Sequence, residues 1–509
     1  MAKSKTPSYV LTLNLKIDDR EKSILDKRFE ISRKLYNSIL GVGLKRFKSL
    51  SELKIYRKLI KELSIINKIY HNSTDKKKLK NIKKERTQKY IELNKLLKNH
   101  KLDEYSLIND MTPMYKPFSK NIDNKTAQAL ASRAWEALEK LIYSKAERVH
   151  FIKYGEMESI EGKWNKSGII YRDKIIKWKK LKMAIVVKSN DKYAQKALQN
   201  RVKYCRILKK LVRGKYKYYI QLILEGVPPV KVNEKTGESK RSIGKGNVGI
   251  DIGTRTIGVS SNKEVKLLEL CPEVDDIEKA KNTLSRKLDR QRRAGNESNY
   301  NENGTIKRGI KLVWNKSKKY IKTQKELSEI LRKQKVIRKQ SHEILANKII
   351  SLGDRILVEQ MSFKGLQKRA KKTTVNEKTG KYNKKKRFGK SLANKAPAML
   401  LEIIDRKLNY EGIKLLKINT REVKASQYNH FTDECNKKEL KDRWNKDVML
   451  QRDLYSAFLI MNVDKSLKKI NRELCNKTYE TFKKLHDVEI ARLKELKIKG
   501  MKFPSSMGI

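Results

Sequence analysis

The chain has little of what staples, zinc sites or membranes require. Its four cysteines, Cys205, Cys271, Cys435 and Cys475, stand singly with no CxxC pair. That argues against a disulfide framework and against a four-cysteine zinc site, and it fits a reducing, cytoplasmic compartment. No run of apolar residues is long enough to cross a bilayer and mean hydropathy is −0.73, so no membrane partner is expected. The opening MAKSKTPSYV has a charged start without an apolar stretch behind it, and no secretory signal is expected. Apolar residues reach only 38%, low for a folded chain, yet eight prolines are too few for a disordered one.

Acid is also scarce. Against 122 Lys and Arg there are 57 Asp and Glu, a formal charge of +65 over 509 residues. An A/T-rich genome would raise Glu along with Lys, so codon bias does not explain the imbalance. A field of this sign suits a polyanion, and nucleic acid is the expected partner. The length suits about two to four domains.

Along the chain, Tyr9–Leu15 alternates as a strand does. Helical spacing then dominates from Glu21 to Leu97, and Thr126–Tyr143 carries an apolar stripe behind a Thr start. Ile169–Val187 and Tyr216–Gly226 read as strands, and Val232–Gly246 as a linker. Beyond it, Val248–Ser261 reads as strand, turn and strand. Asp275–Leu331 is helical and basic, broken by an Asn/Gly-rich loop at Ala294–Gly309. Ile344–Met361 is a helix running into a buried strand, followed by a basic low-complexity insert, Lys364–Lys390. A helix (Pro397–Glu411), a strand (Ile413–Asn419), a helix (Arg452–Asn462) and a helical tail (Leu467–Ile498) complete the chain.

Three acids interrupt apolar surroundings: Asp251 within VGIDIG, Glu359 at the end of RILVE, and Asp453 at the start of RDLYSAFLIM. Each has an ordinary reading, as a turn cap, as a partner of Arg355, or as a helix N-cap. Together on adjoining elements they would repel one another, and hard divalent cations are the natural remedy. Two Mg²⁺ ions, or Mn²⁺ in their place, could flank a scissile phosphate. GIDIGT also matches the first phosphate loop of actin-like ATPases. The second DxG loop and Gly-Gly element of those proteins are missing, and the charge is wrong for them.

In this order the three motifs resemble the split RuvC nuclease of the TnpB family, which is related to the miniature type V CRISPR effectors. GIDIGTRTIGV is similar to the first motif, ILVEQM to the second and RDLYSA to the third. LSRKLDRQRR, HEILANKI and the ASQ before the third motif follow the family order. The resemblance covers Val248–Asn462 and implies an α/β plus α-helical chain. Its RNase H-like nuclease domain would be split by insertions, with an N-terminal β-barrel-like wedge carrying a helical recognition insert. Wedge-like segments are expected at 1–20 and 150–230, the helical insert at 21–149 and the linker at 231–247. The nuclease domain, with a basic helical lid, is expected at 248–424 and 448–509. The resemblance implies Asp251, Glu359 and Asp453 as catalytic metal ligands. It also implies guide RNA and double-stranded target DNA as partners, in a bacterial cytosol.

One segment departs from the family. Residues 425–447 replace the usual zinc ribbon with Asn429 and Thr432 at the first pair's place and Cys435 alone. His430 and Cys435 cannot fill a four-ligand site, so no zinc is expected.

Charge should hold an RNA–DNA duplex by its backbone rather than its bases. Candidate contacts are Arg286, Lys287, Arg290, Arg292 and Arg293 on one helix. Around the insert they are Lys364, Lys368, Arg369, Lys384, Lys385, Lys386 and Arg387. A solvated face is the plain alternative for each. Tyr115, Phe118, Trp135 and Tyr143 could stack on bases, or could be core. The expectation is an RNA-guided, Mg²⁺-dependent DNA endonuclease encoded in a mobile element. The alternatives are a miniature type V CRISPR effector, a guide-directed repressor without cleavage, and an unguided basic protein acting on structured RNA or junctions. Monomer and homodimer are both left open.

Overall fold

The structure, a computed structural model, describes residues 6–509 except 74, 144, 234–235, 240, 369–374, 376–379, 381–387, 437–441 and 446. The chain divides into two compact units, Met1–Pro229 and Val230–Ile509.

In the first unit, β1 (Ser8–Lys16) buries Tyr9, Leu11, Leu13 and Leu15 and exposes the residues between them, the period of a strand with one face on a core. Asp18 then starts α1 (Asp19–Glu52): its carboxylate accepts from the Glu21 N–H and the Glu21 side chain accepts from the Asp18 N–H, a capping box. Helices α2 (Lys54–Asn72), α3 (Lys76–Asn99), α4 (Glu104–Tyr115) and α5 (Asn124–Ile142) follow. Asp123 caps α5, and Thr126 supplies the N–H that it binds. The remaining elements are β2 (Ser159–Glu161), β3 (Ile169–Arg172), β4 (Ile175–Trp178), β5 (Leu181–Val186), α6 (Lys192–Ala197), β6 (Val202–Val212) and β7 (Lys215–Glu225).

These strands make one antiparallel sheet in the order β2-β6-β7-β1-β5-β4-β3. A Cβ on Gly162, just past β2, would touch Ile169 of β3, so the outer strands curl toward each other. The expected barrel is therefore an open half-barrel. Helix α5 packs on α1 where Gly43 leaves room for Leu138. The buried Arg28 of α1 lies 4.5 Å over the Trp178 ring and donates to the Trp178 carbonyl, while Trp178 Nε1 donates to Asp123. Helices α2 and α3 add a separate core of Leu50, Tyr56, Leu59, Leu63, Leu93 and Leu97.

The second unit opens with β8 (Asn247–Ile252), β9 (Thr256–Ser261) and β10 (Val265–Glu269). The last residues of the expected linker are already part of this unit: Gly244 N–H donates to the Ile350 carbonyl and Arg355 N–H to that of Gly246. Next come α7 (Val274–Ala294), α8 (Lys318–Leu352), β11 (Arg355–Glu359), α9 (Phe363–Leu366), α10 (Gly389–Lys395), α11 (Pro397–Asn409) and β12 (Leu416–Ile418). The break between α7 and α8 is longer than the sequence suggests and runs on to Ser317. Last are α12 (Thr420–Val423), β13 (Tyr428–Asn429), β14 (Glu434–Cys435), β15 (Trp444–Asn445), β16 (Leu450–Gln451), α13 (Arg452–Met461) and α14 (Arg472–Ile498).

The central sheet runs β10-β9-β8-β11-β12. The pairs β10/β9 and β9/β8 are antiparallel, and β8/β11 and β11/β12 are parallel. Helices cover both faces, which is why its strands read as near-continuous apolar runs. Val248, Ile250, Ile252, Ile356 and Val358 pack with residues of α8 and α11. Leu357, Val265 and Leu267 join α13 and α14 on the other side. Among the described residues no helix is long and apolar enough to cross a membrane.

Two glycines set how closely α13 lies on this second face. A Cβ on Gly249 would overlap the Ala457 carbonyl and the Met461 amide, and one on Gly258 would stand 2.6 Å from the Asp453 carbonyl oxygen. Backbone cannot yield as a flexible side chain can. Gly249→Ala is expected to cost at least about 3 kcal/mol, the upper end for overpacking. Gly389→Ala, which meets nothing within 4 Å, should be neutral or stabilising by under about 1 kcal/mol. Urea denaturation of both variants checks the contrast.

Candidate active site

Register brings the three acids together. Asp251 of β8 is the cross-strand partner of Gly258 in β9, and Gly258 is the residue over which the Asp453 backbone rests. Glu359 follows Val358, which pairs in parallel with Ile250, so Glu359 stands beside Asp251 on the neighbouring strand. Alternation does the rest. Ile250, Ile252 and Val358 point into the α8–α11 core, so Asp251 and Glu359 point to the opposite face, where α13 begins. All three acids are half-buried at this mouth.

Their ordinary roles are taken by other groups. The cap of α13 is Gln451, whose side chain accepts from the Leu454 N–H at 2.8 Å, so Asp453 is not the N-cap. Arg355 donates to the carbonyls of Val463 and Asp464 at 3.0 and 2.8 Å rather than to Glu359. Glu359 Oε1 is buried with no hydrogen-bond partner. The turn after Asp251 is closed by backbone, from the Gly253 N–H to the Thr256 carbonyl at 2.8 Å.

The electrostatics follow from this crowding. Burial above all, then Asp453 and Glu359, hold the Asp251 carboxyl well above its usual range; Ser456 and Arg452 pull weakly the other way. Ser456 Oγ is itself buried without a well-formed hydrogen bond. Burial also raises Glu359. It raises Asp453 too, against the opposing pull of Arg443, Arg452 and Gln451.

Among the described residues, no three His, Cys, Asp or Glu side chains converge on one point as a ready ligand set. The donor set is nonetheless that of a hard cation: oxygen only, anionic, with one oxygen left unsatisfied by the protein. Divalent ions shared between pairs of these carboxylates would suit it, and they would relieve the repulsion that raises Asp251.

The expected nucleic-acid residues fall into three groups. Arg286, Lys287 and Arg290 are exposed on α7, and Lys364 and Lys368 are exposed in and just after α9. Arg292 and Arg293 are already engaged by Asp289 and by the rings of Trp314 and Tyr300. Arg369, Lys384, Lys385, Lys386 and Arg387 lie outside the described residues. Of the two readings of the aromatic candidates, the structure shows the core one: Tyr115, Phe118, Trp135 and Tyr143 are partly buried against the cores of the first unit.

In residues 425–447, expected as a zinc-free loop, two short hairpins stand, β13–β14 and β15–β16. His430 is buried in the first. The Tyr455 hydroxyl accepts from the His430 N–H and meets its Nδ1 at 2.7 Å, which leaves the hydroxyl proton to donate to Nδ1. Desolvation and Arg472 hold this imidazole down at about 4, so it stays neutral. Phe431, Phe458 and Tyr479 pack around it, and Arg472 donates to the carbonyls of His430 and Phe431. Sequence reasoning missed these contacts and the Gln451 cap. Gln is a poor N-cap by preference, and nothing local in the sequence joins His430 to Tyr455.

No family model matches this chain, and no curated protein is a significant match. Among solved structures it is similar to a cryo-EM structure of a Cas12f1–sgRNA–target DNA complex, with TM-score 0.41 and 12% identity over 90% of this chain and 99% of that one. A CRISPR-Cas12f ternary complex gives TM-score 0.25 and 13% identity over 88% and 86% of the two chains. A Cas12i1 R-loop complex before target DNA cleavage gives 0.25 and 9% over 93% and 65%.

A raised folded-state pKa has a definite sign. As pH climbs from the ordinary carboxylate range through the raised Asp251 value, the unfolded chain ionises first and the fold loses stability. Asp251→Asn removes that loss. At neutral pH in chelator its Tm is expected above the parent's, whereas Mg²⁺ should raise the Tm of the parent and leave the variant unmoved. Thermal unfolding with and without Mg²⁺ reads both effects.

Proposed function

We propose that the chain is an RNA-guided DNA endonuclease of the TnpB kind, with an RNase H-like catalytic domain in its second unit. The observation that carries this reading is the meeting of Asp251, Glu359 and Asp453 on one face of a mixed sheet, with repelling carboxylates and an unsatisfied oxygen. Their motif order adds to it. So does the charge of +65, which suits partners as polyanionic as a guide RNA and a target duplex.

Asp251, Glu359 and Asp453 would hold two Mg²⁺ ions. When bound, such ions supply the Lewis acidity that activates water and stabilises the leaving oxygen of a phosphodiester. The chain's own part is placement. β8 and β11 set two carboxylates side by side, and the first turn of α13 sets the third above them. Arg443 and Arg452 keep Asp453 closer to its charged form than burial alone would, which favours cation binding at neutral pH. A cation that offset its neighbours would draw the raised Asp251 carboxyl down again, so metal binding there would be coupled to its deprotonation. The exposed Arg286, Lys287 and Arg290 of α7 would grip backbone phosphates, with discrimination left to base pairing.

A second reading, a miniature type V effector whose guide comes from a repeat array, has the same chemistry. The enlarged helical insert, with a separate core between α2 and α3, favours it. The presence of all three acids weighs against a binding-only repressor.

Each of Asp251→Ala, Glu359→Ala and Asp453→Ala is expected to lower Mg²⁺-dependent cleavage of guide-matched DNA by at least ~100-fold, as when one transition-state-stabilising group is lost. DNA binding should stay within about threefold. Cleavage gels and filter binding check this, and parallel loss of binding would count against the assignment.

A further inference from the structure

Residues 295–317, between α7 and α8, form a built platform rather than a slack connection. Asn296 and Asn299 are buried at its base. Asn296 accepts from the Asn315 N–H at 2.6 Å and donates to the Asn315 carbonyl at 3.0 Å, and Asn299 donates to the Val313 carbonyl at 2.6 Å. The Tyr300 and Trp314 rings meet edge-on at 5.9 Å. Arg292 covers Trp314 and Arg293 covers Tyr300, so α7 clamps both sides of the loop.

The clamp holds out an apolar tip. Ile310 and Val313 are 61% and 70% exposed and belong to none of the hydrophobic cores. Arg308, Lys311 and Lys316 beside them are also exposed. From Asn303 to Lys325 the chain carries eight Lys and Arg and no Asp or Glu. Branched hydrocarbon held out into water inside an acid-free basic stretch calls for a partner that is polyanionic outside and apolar within.

We infer that this loop is a wedge for duplex DNA: Arg308, Lys311 and Lys316 sit on phosphates while Ile310 and Val313 press into a base step from the minor groove. Apolar side chains used in that way unstack and kink a duplex. The chemistry selects B-form DNA. The A-form minor groove is lined with 2′-hydroxyls that hydrocarbon cannot satisfy, and its major groove is too deep and narrow for side chains. Single strands are held by stacking on aromatic rings, and the loop's two rings are occupied by each other and by arginines. The inference rests on reading the chain as a DNA-acting protein, and it places a site of duplex opening on the α7–α8 connection.

The test uses the full chain in chelator, a short DNA duplex carrying 2-aminopurine, and an RNA duplex of the same sequence. The parent should raise 2-aminopurine fluorescence on binding. Ile310→Ser with Val313→Ser should abolish the rise and weaken DNA binding at least about tenfold, what is left of burying two branched side chains after the cost of unstacking a base step. Lys311→Gln should keep the rise per bound complex and lower the salt slope by about 0.9, the share of one phosphate. No rise with the parent overturns the wedge, as does a rise that survives the double serine variant. Equal weakening on the RNA duplex overturns the choice of DNA. The mutated side chains are exposed, and an unchanged Tm confirms that folding is intact. Cutting is not part of the readout, so absence of Mg²⁺-dependent cleavage would fail the nuclease reading alone.

Discussion

The second unit depends on one close approach: the backbone of α13 lying directly on β8 and β9. Gly249 and Gly258 permit it because any side chain there would meet the Ala457 carbonyl, the Met461 amide or the Asp453 carbonyl. Ordinary helix–sheet packing keeps backbones apart by a layer of side chains. With that layer absent at two points, the first turn of α13 comes down onto Gly258 of β9, the cross-strand partner of Asp251. The approach is stabilised around its margin by the apolar contacts of Leu454, Phe458 and Met461, and by Gln451, which caps the helix and also donates to the Met507 carbonyl.

That proximity has an electrostatic consequence. Three carboxylates meet at a mouth where burial disfavours charge; Arg355 is engaged with the carbonyls after α13, and Arg443 and Arg452 offset burial only in part at Asp453. The folded chain alone leaves the site frustrated, with the Asp251 carboxyl raised and a Glu359 oxygen unpaired. An unpaired carboxylate oxygen among mutually repelling acids marks a place shaped for something the fold does not contain. The neighbouring hairpin carries no such cluster of like charges: His430, Tyr455 and Arg472 bond one another and aromatic rings close a small core around them, with His430 Nε2 left buried and unpaired.

Outside the mouth, the positive charge is not uniform in its use. Arg28, Arg292, Arg293 and Lys395 are tied into the structure by rings, carbonyls and carboxylates. Arg286, Lys287 and Arg290 on α7 face solvent. A count of charges therefore overstates the surface available to a polyanion, although exposed lysines and arginines remain on other elements too, Lys34 and Lys45 of α1 and Arg57 and Lys58 of α2 among them.

Much of this was legible along the chain because it is local. Alternation marked β1, the apolar runs around Asp251 and before Glu359 marked β8 and β11, and a carboxylate inside such a run is anomalous wherever it lands. The three acids were singled out for that reason, and register then explains why acids far apart in sequence share one face. What sequence could not supply is what depends on non-local distance. Whether Arg292 binds a phosphate or a tryptophan, whether Trp135 and Tyr143 stack on bases or pack in a core, and whether Asp453 or Gln451 caps α13 are decided by neighbours from one turn to tens of residues away. The chemical identity of each side chain is written in the sequence; which of its partners comes within hydrogen-bond or van der Waals reach is a property of the packed fold alone.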